Sequence, residues 1–343
     1  MFIRNAWYPV GHSRDIRHQI LARQICGEKL ILYRGSSGQP VALQDRCAHR
    51  LLPLSKGKLC GNNVVCGYHG LEYDPSGQCV RIPCQPQGAS SMRVKSYPIV
   101  DRYRLTWVWM GEPDRANPED IPDLSWNDDP QWVGDCETMH LKCGYRLLMD
   151  NLLDLSHEAY VHGRDEVIAT APAKTTFSDD WVSVERVAGP IPYSPSYGWA
   201  TYLKRATGYE GPFHRTQDTR FVKPCLVVIH SGAVKDGAEI PNSNPAESAK
   251  MVMINCIVPE TETTCWHFFT WVRNYLKDDH QLSSESINAL YTVFKEDIDV
   301  LETQQATILE HPELKMMPIV TDAGPNRMRK IIETAMANER TGS

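Results

Sequence analysis

The chain has no long apolar run. Nothing in it approaches the ~20 apolar residues that a membrane span requires, so no transmembrane segment is expected. The opening Met1-Phe2-Ile3-Arg4-Asn5-Ala6-Trp7-Tyr8-Pro9 lacks the basic head, apolar stretch and small-residue cleavage site of a secretory signal. There is no dense block of Lys or Arg. With 36 basic against 42 acidic residues the net charge is −6, which argues against nucleic acid as the main partner. Internal repeats and low-complexity tracts are also missing. The eleven cysteines are odd in number and irregular in spacing, so they do not form a disulfide framework. They read as reduced thiols of a cytoplasmic protein, most of them small buried hydrophobes. What the chain does have is 42% hydrophobic residues, enough for a packed core, and 343 residues, a length suited to two domains.

Residues 1–112 are short strand-like runs, such as Lys29–Arg34 and Leu105–Met110, broken by turn signals such as Asp74-Pro75-Ser76-Gly77. They read as a small antiparallel β domain. Residues 112–130, rich in Pro, Asp, Asn and Glu, read as a linker. A helical stretch near 145–161, strands from about 175 to 273 and a long helix near 283–310 follow, an α+β pattern. The expected domains are 1–115 and 116–343. Met251–Val258 and Thr263–Arg273 flank a hairpin turn, and 232–250 reads as a mobile surface loop or lid.

Two clusters carry the first chemistry: Cys47-x-His49, sixteen residues, then Cys66-x-x-His69. A zinc site could use two Cys and two His, but its ligand pairs are commonly Cys with Cys or His with His. One Cys and one His on each loop suits a Rieske [2Fe–2S] centre, in which one iron takes the thiolates and the other the imidazoles. Gly57, Gly61, Gly67 and Gly70 supply backbone freedom for wrapping a cluster.

The second constellation is Asn151-Leu-Leu-Asp154-Leu-Ser-His157-x₄-His162-Gly163. Residues five apart on an ideal α-helix point ~140° away from each other. If His157 and His162 bind one metal, the helix must bulge or end between them. Asn151, Asp154 and His157 form one stripe, and Asp154 can accept a hydrogen bond from a nearby His. Two His call for a carboxylate, which together make the facial triad of non-haem Fe(II) oxygenases. On the long C-terminal helix Ile287, Leu290, Tyr291, Phe294, Ile298 and Leu301 form the apolar face, and Asp297 falls on it, with Glu296 and Asp299 on the solvated side. A carboxylate there is costly unless paired or metal-bound, so Asp297 is the expected third ligand. The alternative is an ion pair with Arg146 or Arg273.

These motifs together, with Arg50, Gly70 and Glu296-Asp297-x₄-Glu302, resemble the oxygenase (α) component of Rieske non-haem iron aromatic-ring oxygenases. Asn5-Ala6-Trp7-Tyr8, the short length and Asn151 resemble the subgroup containing vanillate O-demethylase, toluenesulfonate methyl-monooxygenase and dicamba O-demethylase. The resemblance implies an all-β Rieske domain followed by a helix-grip catalytic domain with mononuclear iron. It implies a homotrimer in which Asp154 couples one subunit's cluster to its neighbour's iron, and a flavin and ferredoxin-type reductase that delivers electrons from NAD(P)H. With an aromatic substrate and O₂, the expected reaction is demethylation of a methoxy group to phenol and formaldehyde. The alternatives are hydroxylation of a methyl or ring carbon of another aromatic acid or sulfonate, and a pure electron carrier. Leu52 and Tyr68 stand where high-potential Rieske proteins carry a disulfide, so the resemblance is to the low-potential, soluble type.

Trp266-His267 occupies the place where the acid-demethylating sequences carry His-Tyr. Alternation along a strand is expected to turn Trp266 into the substrate pocket and His267 away. His230 and Trp271 are further pocket candidates.

Overall fold

The structure, a computed structural model, describes residues 1–85, 91–163, 166–240 and 243–341. By internal contacts the chain forms two units, Met1–Pro122 with Val258–Glu262, and Asp123–Ile257 with Thr263–Ser343. The first unit runs past 115 because Trp7 Nε1 donates to Asn117 O (2.8 Å) and Arg102 Nη1 to Pro118 O (2.6 Å). It takes in the turn at 258–262 through Cys26 N–H to Pro259 O (2.7 Å).

The first unit is built from three small antiparallel sheets: β1 (Trp7–His12) with β10 (Leu105–Trp109) and β9 (Ile99–Arg102); β2 (Leu21–Ile25), β3 (Glu28–Arg34) and β4 (Pro40–Gln44); and β5 (Lys58–Cys60), β6 (Asn63–Val65), β7 (Glu72–Tyr73) and β8 (Cys79–Arg81). The central run Leu30–Tyr33 is buried on both faces, which is why it reads as continuously apolar rather than alternating. Its core gathers Ile31, Tyr33, Leu54, Val64 and Tyr73 around Cys47 and Cys66.

The second unit is one antiparallel seven-stranded sheet in the order β11-β17-β16-β15-β14-β13-β12. The strands are β11 (Val133–Leu141), β12 (Ala173–Phe177), β13 (Trp181–Ile191), β14 (Phe213–Val222), β15 (Leu226–Lys235), β16 (Ser248–Pro259) and β17 (Cys265–Arg273). In β14 buried residues alternate strictly with more exposed ones, the signature of a sheet with one covered face. Among the described residues five α-helices join it: α1 (Tyr145–Leu153), α2 (Glu166–Ala169), α3 (Gly198–Thr207), α4 (His280–Glu310) and α5 (Ala323–Thr341). Asp279 caps α4 by accepting from Leu282 N–H (2.9 Å), and Ile287, Phe294, Asp297, Leu301 and Gln305 form its buried stripe. The mixed helix-and-sheet class agrees with the sequence reading.

The expected surface loop 232–250 is shorter than the sequence suggests: its two ends are strand, Gly232 pairing with Lys250 and Val234 with Ser248, while 236–240 and 243–247 lie between β15 and β16. The buried Gly232, Ala233, Val234, Ser248 and Ala249 are the strand ends, and the exposed polar residues belong to the connection. Pro241 and Asn242, at the centre of the expected lid, lie outside the described residues. No described helix is long and apolar enough to cross a membrane.

Candidate metal centres and active site

The two Cys-His loops meet in the first unit. Cys47 and Cys66 are buried, at 2% and 3% exposure, while the His49 and His69 rings lie 4.6 Å apart on the outer side, His49 exposed and His69 half-buried. Gly67 is where the loops touch: a Cβ there would run into the Lys56 carbonyl oxygen. Backbone N–H groups of Tyr68 and His69 reach the Cys66 sulfur. Two buried thiols behind two outward imidazoles fit the donor set of a Rieske cluster.

Tyr73 O–H lies 3.2 Å from Cys47 Sγ and accepts from Ala48 N–H at 3.0 Å. A cluster-bound thiolate carries no proton, so the hydroxyl must donate. Donation to sulfur favours the reduced cluster. A net hydrogen bond of about 0.5–1.5 kcal/mol corresponds to about 20–60 mV for one electron. Tyr73→Phe is expected to lower the cluster's midpoint potential by that amount. A redox titration followed by electron paramagnetic resonance checks it, and an unchanged potential would contradict it.

In the second unit His157, His162 and Asp297 come together, their ligand atoms all within 4.8 Å of one another. The five-residue spacing works because Glu158–His162 form a π-helical turn, closed by Gly163 in the left-handed conformation (φ 60°). A π turn brings together residues that an α-helix would splay. The two imidazoles are aimed by their other nitrogens. His157 Nδ1 bonds the Asp154 carbonyl (2.6 Å) and His162 Nδ1 bonds Glu296 Oε2 (2.7 Å), leaving both Nε2 atoms facing Asp297 Oδ1 at 3.5 and 3.3 Å. Asn151 Nδ2 donates to the same oxygen (3.1 Å). Its own Oδ1 is buried without a partner among the described residues, an orphan that ion-bound water would satisfy. Burial pushes the Asp297 carboxyl up, against the pull of the two imidazoles and the Asn151 amide. Two imidazoles and a carboxylate on one vertex fit a divalent iron.

Two expectations are revised here. Glu296 is not on a purely solvated side: its side chain, 38% exposed, reaches back to His162. Sequence reasoning missed it because a helical wheel places the Cβ, not the end of a long side chain. The alternative ion pairs for Asp297 do not form. Arg146 sits by Glu333 (3.8 Å), and Arg273 serves Ser283 Oγ and the Leu276 and Asp279 carbonyls. Asp154 orients His157 through its backbone carbonyl. Its carboxylate caps the next turn at Ser156 N (3.0 Å) and Oγ (2.7 Å) and accepts from Thr321 Oγ1 (3.2 Å).

A cavity of about 610 Å³ opens beside the triad, walled by Leu155, Met251, Met253, Trp271, Leu290 and Phe294, with Arg215, Gln217 and Ser231 on its floor. Of the four pocket candidates only Trp271 lines it. Trp266 and Trp271 are an odd number of residues apart on one strand and face opposite ways; Trp266 lies against His140 (4.6 Å). His267 is on the inner face after all, but buried: its Nε2 bonds Asn255 Oδ1 (3.0 Å), and Phe294 and Phe269 cover its ring at 4.7 and 4.9 Å. His230, between the lining residues Ile229 and Ser231, turns outward against Trp126 (5.0 Å).

A Cys-His two-loop domain ahead of a seven-stranded sheet and a long helix, with two His and an Asp brought together, is the layout of a Rieske-type oxygenase component. Residues 6–98 match the Rieske [2Fe-2S] domain and residues 141–338 the vanillate O-demethylase oxygenase C-terminal domain. Vanillate O-demethylase oxygenase subunit from Pseudomonas sp. (strain HR199 / DSM 7063) is 36% identical, covering 99% of this chain and 96% of that one. A toluene-4-sulfonate monooxygenase iron-sulfur subunit from Comamonas testosteroni is 34% identical over 100% and 99%. The crystal structure of dicamba monooxygenase with non-haem iron and dicamba superimposes with a TM-score of 0.81 at 30% identity, over 100% and 99% of the two chains. The chain belongs to the vanillate O-demethylase oxygenase family of Rieske oxygenase components, whose cofactors are a [2Fe–2S] cluster and mononuclear non-haem iron.

Proposed function

We propose that this chain is the oxygenase component of a multicomponent monooxygenase that demethylates a methoxy-substituted, vanillate-like aromatic. The single observation that carries this reading is the triad of His157, His162 and Asp297 at the wall of a largely apolar, aromatic-sized cavity. Cys47, His49, Cys66 and His69 would hold the cluster, which supplies single electrons, and the triad would hold the iron that activates O₂. The chain's own task is positioning. Asp154 O and Glu296 fix the imidazoles, Asn151 steadies Asp297, and the Met, Leu and Trp walls keep water from the reacting carbon. Overall, substrate, O₂, two electrons and two protons give a hemiacetal and water, and the hemiacetal parts into phenol and formaldehyde.

The electrons come from NAD(P)H through a separate flavin and ferredoxin-type reductase. We further propose a cytoplasmic homotrimer that needs neither membrane nor nucleic acid, and Asp154 as the bridge to the neighbouring subunit's cluster. Supporting the trimer, Asp154 lines a second hollow of about 710 Å³ rimmed by the exposed Met316, Met317 and Ile319. The sulfonate-oxidising relative favours a second reading, hydroxylation of a methyl or ring carbon. Iron-loaded protein, a reductase, NADH and a panel of methoxy- and methyl-aromatics separate the two. Formaldehyde in step with substrate loss is expected. Hydroxylated products without formaldehyde would establish the second reading instead.

A further inference from the structure

Two thioethers open onto the cavity that holds the triad. Met251 and Met253 stand two residues apart on β16, so their side chains share one face of the sheet. Register sets them opposite Ser231 and Ile229 of β15. All four residues line the cavity, as His157, His162 and Asp297 do. The two methionines carry the only sulfur atoms among its described lining residues. The other large apolar residues of β16 are Val252, Ile254, Ile257 and Val258, and none of these lines it. Methionine thus stands where the strand meets the cavity.

A flexible, polarizable side chain suits a wall that conforms to a guest. It also brings a group that accepts an oxygen atom. A thioether becomes a sulfoxide without losing any bond, whereas the aliphatic and aromatic walls must give up a C–H bond. When oxygen is activated at the triad and no substrate carbon is in place, these sulfurs are the readily oxidised groups sharing the space.

We infer that Met251 and Met253 are sites of self-oxidation, converted to the sulfoxide by the protein's own oxygen chemistry when turnover runs without a well-placed substrate carbon. The sulfur lone pair forms a bond to one oxygen atom of O₂. The other oxygen leaves as water, with two protons and the two electrons that the reductase supplies. The wall is then polar where it was apolar, so the cavity loses its fit for an apolar guest and turnover falls. The inference rests on the oxygen-activating part of the proposed function and not on which substrate carbon is oxidised.

The iron-loaded, cluster-containing protein is incubated with reductase, NADH, O₂ and catalase. Benzoate replaces the methoxyaromatic, so no methoxy carbon is on offer. Peptide mass spectrometry then locates the gain of one oxygen atom. Exposure supplies the control: peroxide in solution would oxidise Met317, 84% exposed, ahead of Met251, 7% exposed, and oxidation from the triad reverses that order. Sulfoxide at Met251 or Met253 is expected to exceed that at Met317 by about tenfold or more, and to be absent from both in Asp297→Ala. The double variant Met251→Leu, Met253→Leu nearly conserves volume. After the same incubation it should keep a larger share of its own starting rate of formaldehyde release than the wild type keeps. Sulfoxide that follows exposure, that persists at Met251 and Met253 in Asp297→Ala, or that fails to form in protein still releasing formaldehyde from a methoxyaromatic would overturn the inference. Cavity sulfoxide in protein that releases no formaldehyde from any methoxyaromatic would overturn the demethylation reading and leave this one standing.

Discussion

Replacing Asp297 by Ala is expected to remove one iron atom per chain, from about three to about two, and with it all turnover, while the visible spectrum of the cluster persists. Asp297 Oδ1 is the vertex that both Nε2 atoms face, whereas the cluster loops lie in the other unit, so the two centres should be lost separately. The side chain is 2% exposed on the buried stripe of α4. With the two imidazoles undisturbed by the change, the fold has no reason to fail: a buried carboxylate that loses its counter-charges costs more than an alanine there. Iron analysis beside the absorption spectrum checks this. Loss of the cluster spectrum together with the iron would mean that α4 is needed for the whole fold, and the assignment of Asp297 would fall.

Glu296→Ala is expected to weaken Fe(II) binding about 10- to 100-fold, the usual consequence of removing the partner that orients a metal-bound His. Glu296 holds His162 Nδ1 at 2.7 Å, as the Asp154 carbonyl holds His157. The asymmetry is informative. A backbone carbonyl cannot be mutated away, so only the His162 side of the centre should respond to substitution of its orienting group. Glu296→Gln should recover much of the affinity, because an amide oxygen still accepts from Nδ1–H. Anaerobic Fe(II) titration measures both variants, and equal affinity for wild type and Glu296→Ala would show that the contact does no orienting.

What could be read in the sequence follows from how far apart the cooperating residues are. The residues proposed to hold the cluster lie within two short loops, and their order distinguishes a mixed Cys-His pairing from a zinc site. His157 and His162 were legible because five-residue spacing demands a break in α-helical geometry, and the structure supplies a π turn. Asp297 stood out as a carboxylate on an apolar face. The pocket was not legible in the same way. Alternation fixes that Trp266 and His267 face opposite sides but not which side is inner. Parity is set by packing against α4, where Phe294 meets His267 and Phe269. Gln217, Ser231 and Met251 lie 14 and 20 residues apart in sequence and become neighbours only through register across three strands, which a single sequence does not specify. The helix α3, which brings Trp199 onto Arg215, carried no signal strong enough to be expected.

The central claim, that a methoxy carbon is oxidised at the His157–His162–Asp297 centre, is tested most directly by restoring iron stepwise to chelator-treated protein that has kept its cluster. Formaldehyde would be measured against iron regained, with reductase, NADH and a methoxyaromatic acid present. The account predicts formaldehyde rising in proportion to restored iron in the wild type and none from Asp297→Ala at any iron level. Formaldehyde that does not depend on restored iron, or that Asp297→Ala releases as readily as the wild type, would contradict it.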